Sequence, residues 1–258
     1  MNIHGFLMDL RVPQVMGILN VTPDSFYAGS RKQTEGEIAE RCHQIVSEGG
    51  SIIDVGGCST RPGAEVASES EEMERLRFAL TVVRREQPSA VVSVDTFRPD
   101  VARMAVEEFG ADIINDVSEG GPEIFRMVAR LGTPYILMSV QPTMRETLLV
   151  FAQKVQQLRD LGQKDIILDP GFGFGKTLDD NYRLMNEMEK LQVLQLPLLV
   201  GISRKSMIYK LLGITQDEAL NGTTFLNTIA LMKGADILRV HDVKEAVEIV
   251  KMYDRLRS

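Results

Sequence analysis

Asp54, Asp95 and Asp169 each stand at or near the end of an apolar run, and Asn115 ends a fourth run in the same way. A carboxylate in that position is costly unless something solvates it. Taken singly, each is as readily a helix cap or the partner of an arginine as part of a site. Three aspartates and an asparagine at equivalent positions make a set of donors and acceptors suited to a flat, nitrogen-rich heterocycle. Recognition of that kind is sharp, because a mismatched ligand leaves buried polar atoms unpaired. Arg239 and His241 alternate along one run and so share a face. A guanidinium fork beside an imidazole suits a phosphate-type anion. A lone histidine is usually a satisfied core residue, but an inward arginine two positions earlier weighs against that reading, since a buried unpaired arginine is expensive.

Two further strings carry chemistry. In Ser203-Arg204-Lys205-Ser206, two adjacent bases follow an apolar run, placing one of them to reach a ligand. Asp169-Pro-Gly-Phe-Gly-Phe-Gly-Lys-Thr177 nearly spells a phosphate-cradling loop. It lacks one residue between its first glycine and Gly-Lys-Thr, so a nucleotide-triphosphatase is rejected. Its glycines let the backbone pass close to a ligand, and Phe172 or Phe174 is placed to stack on a ring. Cys58 reads as a small apolar wall residue ahead of a nucleophile.

The elements that must position these groups repeat. Apolar, strand-like runs at 15–21, 51–57, 91–95, 112–117, 134–139, 165–170, 197–203 and 236–242 alternate with helical periodicity. Helices are expected at 69–85, 100–109, 143–161, 178–191, 220–233 and 243–256. Strand–helix alternation eight times over predicts an α/β fold, a (β/α)8 (TIM) barrel, in which the strand C-termini converge on one mouth. The count uses nearly the whole chain, so 1–258 reads as a single domain. Residues 1–12 form a short leading hairpin or plug that could cover the barrel floor. Long polar loops follow the first strand (22–33) and the second (58–68), and loops of that length in a compact barrel are more often functional than idle.

Net charge is −7, with basic residues scattered through acidic helices, which argues against nucleic acid and anionic membrane surfaces as partners. The two cysteines, Cys42 and Cys58, lack metal-ligand spacing and point to a reducing, cytoplasmic setting. No apolar span of about 20 residues and no basic-then-apolar leader is seen.

The strings together resemble one family, dihydropteroate synthase. They are Met16-Gly-Ile-Leu-Asn-Val-Thr-Pro-Asp-Ser-Phe26, Asp54-Val-Gly-Gly-Cys-Ser-Thr-Arg-Pro-Gly63, Ser93-Val-Asp-Thr96, Asn115-Asp116, Asp169-Pro-Gly-Phe-Gly-Phe-Gly-Lys176, Gly201-Ile-Ser-Arg-Lys-Ser206 and Arg239-Val-His-Asp-Val243. They run in the family's order over almost the whole chain. The resemblance implies condensation of a pterin hydroxymethyl pyrophosphate with p-aminobenzoate for folate synthesis. It assigns Asp95, Asn115, Asp169 and Lys205 to the pterin, and Asn20, Arg61, Arg239 and His241 to the pyrophosphate. Asn20 also helps hold a bridging Mg²⁺. Thr60, Pro62, Phe174 and Ser206 border p-aminobenzoate. Catalysis is implied to rest on Asp95, Lys205, Arg61 and Asp24, the last two on loops that close over the substrates. A homodimer packed through the late barrel helices is also implied.

Two departures stand out. The family usually has His after the Leu-Met of strand five and then a longer loop; here Leu137-Met138-Ser139 leads into a shorter segment, expected as a trimmed fifth helix or a reduced mouth loop. Cys58 stands where many members carry Glu. Two alternatives stay open on sequence, a pterin-dependent methyltransferase barrel and a catalytically silent pterin binder.

Overall fold

The computed structural model describes residues 1–3, 5–21, 31–58 and 67–257. Two short strands, β1 (Asn2–Ile3) and β2 (Phe6–Leu7), pair antiparallel as a leading hairpin. The barrel strands are β3 (Gln14–Asn20), β4 (Ile52–Gly56), β5 (Val91–Asp95), β6 (Ile113–Asp116), β7 (Tyr135–Met138), β8 (Ile166–Asp169), β9 (Leu199–Val200) and β10 (Ile237–Val240). They lie parallel in the order β8-β7-β6-β5-β4-β3-β10-β9. An isolated bridge between Leu168 and Leu198 brings the two edges together, with the Leu168 N–H donating to the Pro197 carbonyl at 2.8 Å. The expected (β/α)8 barrel is thus observed.

The helices are α1 (Arg31–Ser47), α2 (Glu69–Glu86), α3 (Pro99–Phe109), α4 (Pro122–Leu131), α5 (Met144–Asp160), α6 (Leu178–Glu187), α7 (Ser206–Leu212), α8 (Leu220–Met232) and α9 (Val243–Arg257). Local chemistry fixes their ends. Ser68 and Glu71 form a reciprocal capping box that starts α2, so the loop after β4 ends at a defined point. Pro99 opens α3, and Gly110, at φ 62°, closes it in the left-handed conformation that glycine adopts without a Cβ penalty.

Two expectations change. The α-helix expected over 178–191 stops at Glu187 and continues as a 3₁₀ turn, Met188–Leu194. The seventh strand keeps only Leu199–Val200 in the ladder, because Pro197 has no N–H to donate and the chain turns away to place Ser203 and Lys205. At the fifth unit, α5 spans 17 residues and residues 139–143 join it to β7.

Side-chain alternation builds the barrel interior in layers. Met16, Ile52, Ile113, Ile136, Ile167, Leu199 and Ile237 form a buried apolar floor. Ile3 of the hairpin joins that cluster, and Met1, Met8 and Leu10 pack on it, so the leading segment plugs the barrel floor. Two residues further along each strand come Ile18, Asp54, Asn115, Met138, Asp169, Gly201 and Arg239; β5 adds Ser93. One step higher lie Asn20, Gly56, Asp95 and His241. The polar residues therefore enter the mouth as a second and third storey above a dry floor. The larger core lies outside the strands, where Leu76, Leu80, Val83, Phe125, Tyr135 and Phe151 are buried between barrel and helices.

Candidate functional site

Arg239 organises the polar storeys. Its Nε donates to Asp54 Oδ2 at 2.7 Å and its Nη2 to Asp95 Oδ2 at 2.9 Å. Asp54 also accepts from Asn115 Nδ2 at 3.3 Å. Asp54 is fully buried and Asp95 is 9% exposed. Asp169 accepts the Gly171 N–H at 2.8 Å, turning the chain after β8 back toward the mouth. Lys205 enters from the turn after β9; its ammonium donates to the Phe172 carbonyl and sits over the Phe174 ring, 4.6 Å from the centroid. Asn115 Oδ1 and Ser93 Oγ are buried with no hydrogen-bond partner among the described residues. An orphaned buried acceptor is costly unless a ligand donor meets it.

Burial raises the Asp95 carboxyl to about 7; Arg239 opposes the shift, and Asp54, Glu72 and Asp116 add to it. Asp169 is likewise raised by burial, opposed chiefly by Lys205. Burial lowers Lys205 to about 8 against the pull of Asp169. For Arg239 burial works against the charge, yet Asp54 and Asp95 hold the guanidinium above its ordinary value. The mouth thus keeps carboxylates and cations in close balance: desolvation wins at Asp95, Asp169 and Lys205, with charged partners restraining it, whereas at Arg239 the partners win.

At the rim, His241 Nδ1 lies 3.1 Å from Ser203 Oγ, and the Ser203 hydroxyl also accepts the His241 backbone N–H at 3.1 Å. Burial, then Arg239, lowers the imidazole to about 4, so it is neutral at pH 7. Arg204, at φ 54°, donates from Nε and Nη2 to Asp242 at 2.9 and 2.7 Å and lines the rim cavity that also holds Asn20 and His241.

Asp95, Asn115, Asp169, Lys205, Arg239, Asn20, His241 and Phe174 belong to strand C-termini or to the turns that follow them, and Ser206 opens α7 directly after such a turn. Asp24, Thr60, Arg61 and Pro62 lie outside the described residues. Of the two phenylalanines offered for stacking, Phe172 is fully buried in the core and only Phe174 borders the mouth. Arg239 is paired with two carboxylates, which the run-by-run sequence reading missed. The signal was present, since Asp54 also ends near its strand's C-terminus, but that partner lies 185 residues away in sequence. Cys42 is fully buried, and burial pushes its thiol up to about 12, which leaves it an inert core residue.

A family profile described as pterin binding enzyme matches residues 16–241. Dihydropteroate synthase of Escherichia coli (strain K12) is 40% identical over 271 residues, covering 99% of this chain and 95% of that protein. The enzyme of that name from Bacillus subtilis (strain 168) is 38% identical over 252 residues, covering 94% and 88%. The structure is similar to Yersinia pestis dihydropteroate synthase in a sulfonamide drug complex, with TM-score 0.89 and 36% identity over 100% of this chain and 98% of that one. It is also similar to Xanthomonas albilineans dihydropteroate synthase with 4-aminobenzoic acid, with TM-score 0.91 and 33% identity over 98% and 96%. Among the described residues no helix is long and apolar enough to cross a membrane. With its barrel, its storeyed polar mouth and relatives of one kind along nearly its whole length, the chain belongs to the pterin-binding enzyme family, as a transferase of the dihydropteroate synthase group serving folate biosynthesis.

Proposed function

We propose that the chain condenses 6-hydroxymethyl-7,8-dihydropterin pyrophosphate with p-aminobenzoate, giving 7,8-dihydropteroate and pyrophosphate. The observation that carries this reading is the meeting of Asp95, Asn115, Asp169 and Lys205 above one apolar floor, with the Asn115 Oδ1 acceptor orphaned there. The amino and ring N–H groups of a pterin supply the missing donors, the buried carboxylates accept others, and Lys205 donates to a ring acceptor. Arg239 holds Asp54 and Asp95 in place through Nε and Nη2. Its Nη1, uncommitted among the described residues, faces the pyrophosphate with neutral His241. Phe174 and Ser206, with Thr60 and Pro62, border the p-aminobenzoate.

The displacement is dissociative. The C–O bond to pyrophosphate breaks first, the pterin exocyclic carbon carries the positive charge, and the aniline nitrogen then forms the C–N bond. The nitrogen loses one proton to solvent or to the departing pyrophosphate. The amine is already neutral at pH 7, so no strong base is needed to expose its lone pair. Water must be kept from the cation, a role given to the loops bearing Asp24 and Arg61.

The donor set fits a Mg²⁺ ion carried largely by the substrate. Asn20 ends β3 exposed at the rim, and a Cβ on Gly56 would lie 3.2 Å from its Oδ1, so glycine keeps that oxygen accessible. Among the described residues no three His, Cys, Asp or Glu side chains cluster to hold a metal. Magnesium keeps several waters and is bound by few protein oxygens plus substrate phosphates, which suits a single carboxamide. When bound it neutralises charge on the leaving pyrophosphate.

A pyrophosphate-release assay tests this reading. Release is expected only with both substrates and Mg²⁺ present, and a sulfonamide is expected to raise the apparent KM for p-aminobenzoate. Uptake of the pterin pyrophosphate with no pyrophosphate released in the complete mixture would overturn it in favour of a silent binder.

A homodimer is part of the same proposal. Phe225 and Met232 of α8 and Met252 and Leu256 of α9 are 64–86% exposed. Paired at i, i+7 and i, i+4, each set shares one helix face. Apolar side chains exposed on the two late helices suit the packing of a second copy there. Sedimentation velocity is expected to give twice the chain mass; a monomer at micromolar concentration would contradict the proposal.

A further inference from the structure

Lys176 is a part-buried cation that the site described above does not use. Its Nζ donates to three backbone carbonyls, Ser139 at 3.0 Å, Gly171 at 3.0 Å and Phe174 at 3.2 Å. These carbonyls belong to two connections, the one leaving β7 and the one leaving β8. Burying an ammonium among neutral carbonyls is expensive, and burial lowers this lysine to about 8. What the cost secures is geometric. At Gly171, with φ 70°, a Cβ would fall 2.0 Å from the Ser139 carbonyl oxygen, so the two backbones touch and one ammonium spans both.

The far side of each connection is also held. Glu119 Oε1 accepts from the Val140 N–H and from Gln141 Nε2, both at 2.9 Å, and Lys154 Nζ donates to the Glu119 carbonyl at 2.5 Å. Asn181 Oδ1 accepts the Gly173 N–H at 2.7 Å. The turn fixed in this way presents two things to the mouth, the Phe172 carbonyl and the face of Phe174, and both meet the Lys205 ammonium. Glycine at 173 leaves the passage, since a Cβ there would stand 3.1 Å from Lys205 Cδ.

We propose that Lys176 is a positioning residue: it staples the turn after β8 to the end of β7, and through the Phe172 carbonyl and the Phe174 ring it sets where the Lys205 ammonium meets the pterin. This rests on the pterin reading above. It also explains how a short connection at 139–143 serves the mouth, because Ser139 supplies a backbone carbonyl to the staple.

The test has two arms. In proton NMR the Lys205 ε-methylene, identified by its loss in Lys205→Met, is expected upfield because of the Phe174 face. Lys176→Met is expected to collapse that shift to the value seen in Phe174→Leu. Calorimetric titration with the pterin pyrophosphate is expected to show binding weakened about tenfold in Lys176→Met, as for loss of a hydrogen bond to a charged group. An upfield shift retained in the variant, or wild-type affinity, overturns the proposal. Should Lys176→Met not fold, Lys176→Gln, which keeps an N–H donor, is measured in its place. If neither folds, Lys176 holds the fold and the proposal is overturned. If wild type takes up no pterin pyrophosphate, the functional reading fails, and the NMR arm still decides the positioning role.

Discussion

Replacing Arg239 by methionine is expected to lower the free energy of unfolding by about 3–5 kcal/mol near neutral pH, the usual cost of removing one partner from a buried ion pair. The guanidinium serves two buried carboxylates at once, 2.7 and 2.9 Å away, so its loss strands both Asp54 and Asp95. The loss should depend on pH with a definite sign. A carboxyl whose folded pKa lies above its unfolded value costs nothing where it is protonated in both states. Its penalty appears above the unfolded value, about 4, and grows until pH passes the folded value. In the parent protein Asp95 already stands at about 7, so its contribution is fully present below about pH 4 and is lost as pH rises through 7. Without Arg239, which holds it down, the Asp95 carboxyl moves higher and the decline steepens. Urea unfolding at about pH 5 and about pH 7.5 should show the variant's deficit clearly smaller at the lower pH. Equal deficits at the two values, or a deficit below about 1 kcal/mol at the higher one, would mean that the pair is not buried as described.

The second large effect is on the ligand. Asp95→Ala and Lys205→Ala are each expected to abolish measurable pterin binding and to lower turnover by at least about 10²-fold, while both proteins remain folded. Asp95→Ala leaves Arg239 paired with Asp54 and removes the more solvent-accessible of its two carboxylates. Lys205→Ala removes a buried ammonium whose partners are a carbonyl, an aromatic face and the field of Asp169. Neither change opens the apolar floor beneath. Calorimetry with the pterin pyrophosphate, alongside circular dichroism, distinguishes loss of the site from loss of the fold. Either variant turning over normally would remove that residue from the site.

Strand–helix alternation was enough to place the barrel and its mouth, because each buried parallel strand reads as an apolar run and each outer helix as a stripe. The mouth residues were legible for the same reason: a polar residue closing such a run has only one end of the barrel to occupy. Partners were less legible. Arg239 reads as an anion grip when only its neighbour His241 is in view, whereas closure of the barrel sets it against Asp54 and Asp95, more than a hundred residues away. Lys176 was hidden for a related reason. Its three acceptors are backbone carbonyls, which carry no residue identity, and only the close pass of Gly171 against Ser139 reveals them. The seventh strand was overestimated because apolar Ile202 continues the run in composition after the ladder has ended at Val200.

The most direct measurement is a crystal structure with the pterin pyrophosphate bound. The pterin ring is expected above the apolar floor, with an N–H on Asn115 Oδ1, carboxylate contacts to Asp95 and Asp169, and the Lys205 ammonium at its edge. A ring seated elsewhere, for example in the 610 Å³ cavity beside the leading hairpin lined by Leu7, Met8 and Phe109, with those four side chains untouched, would contradict it.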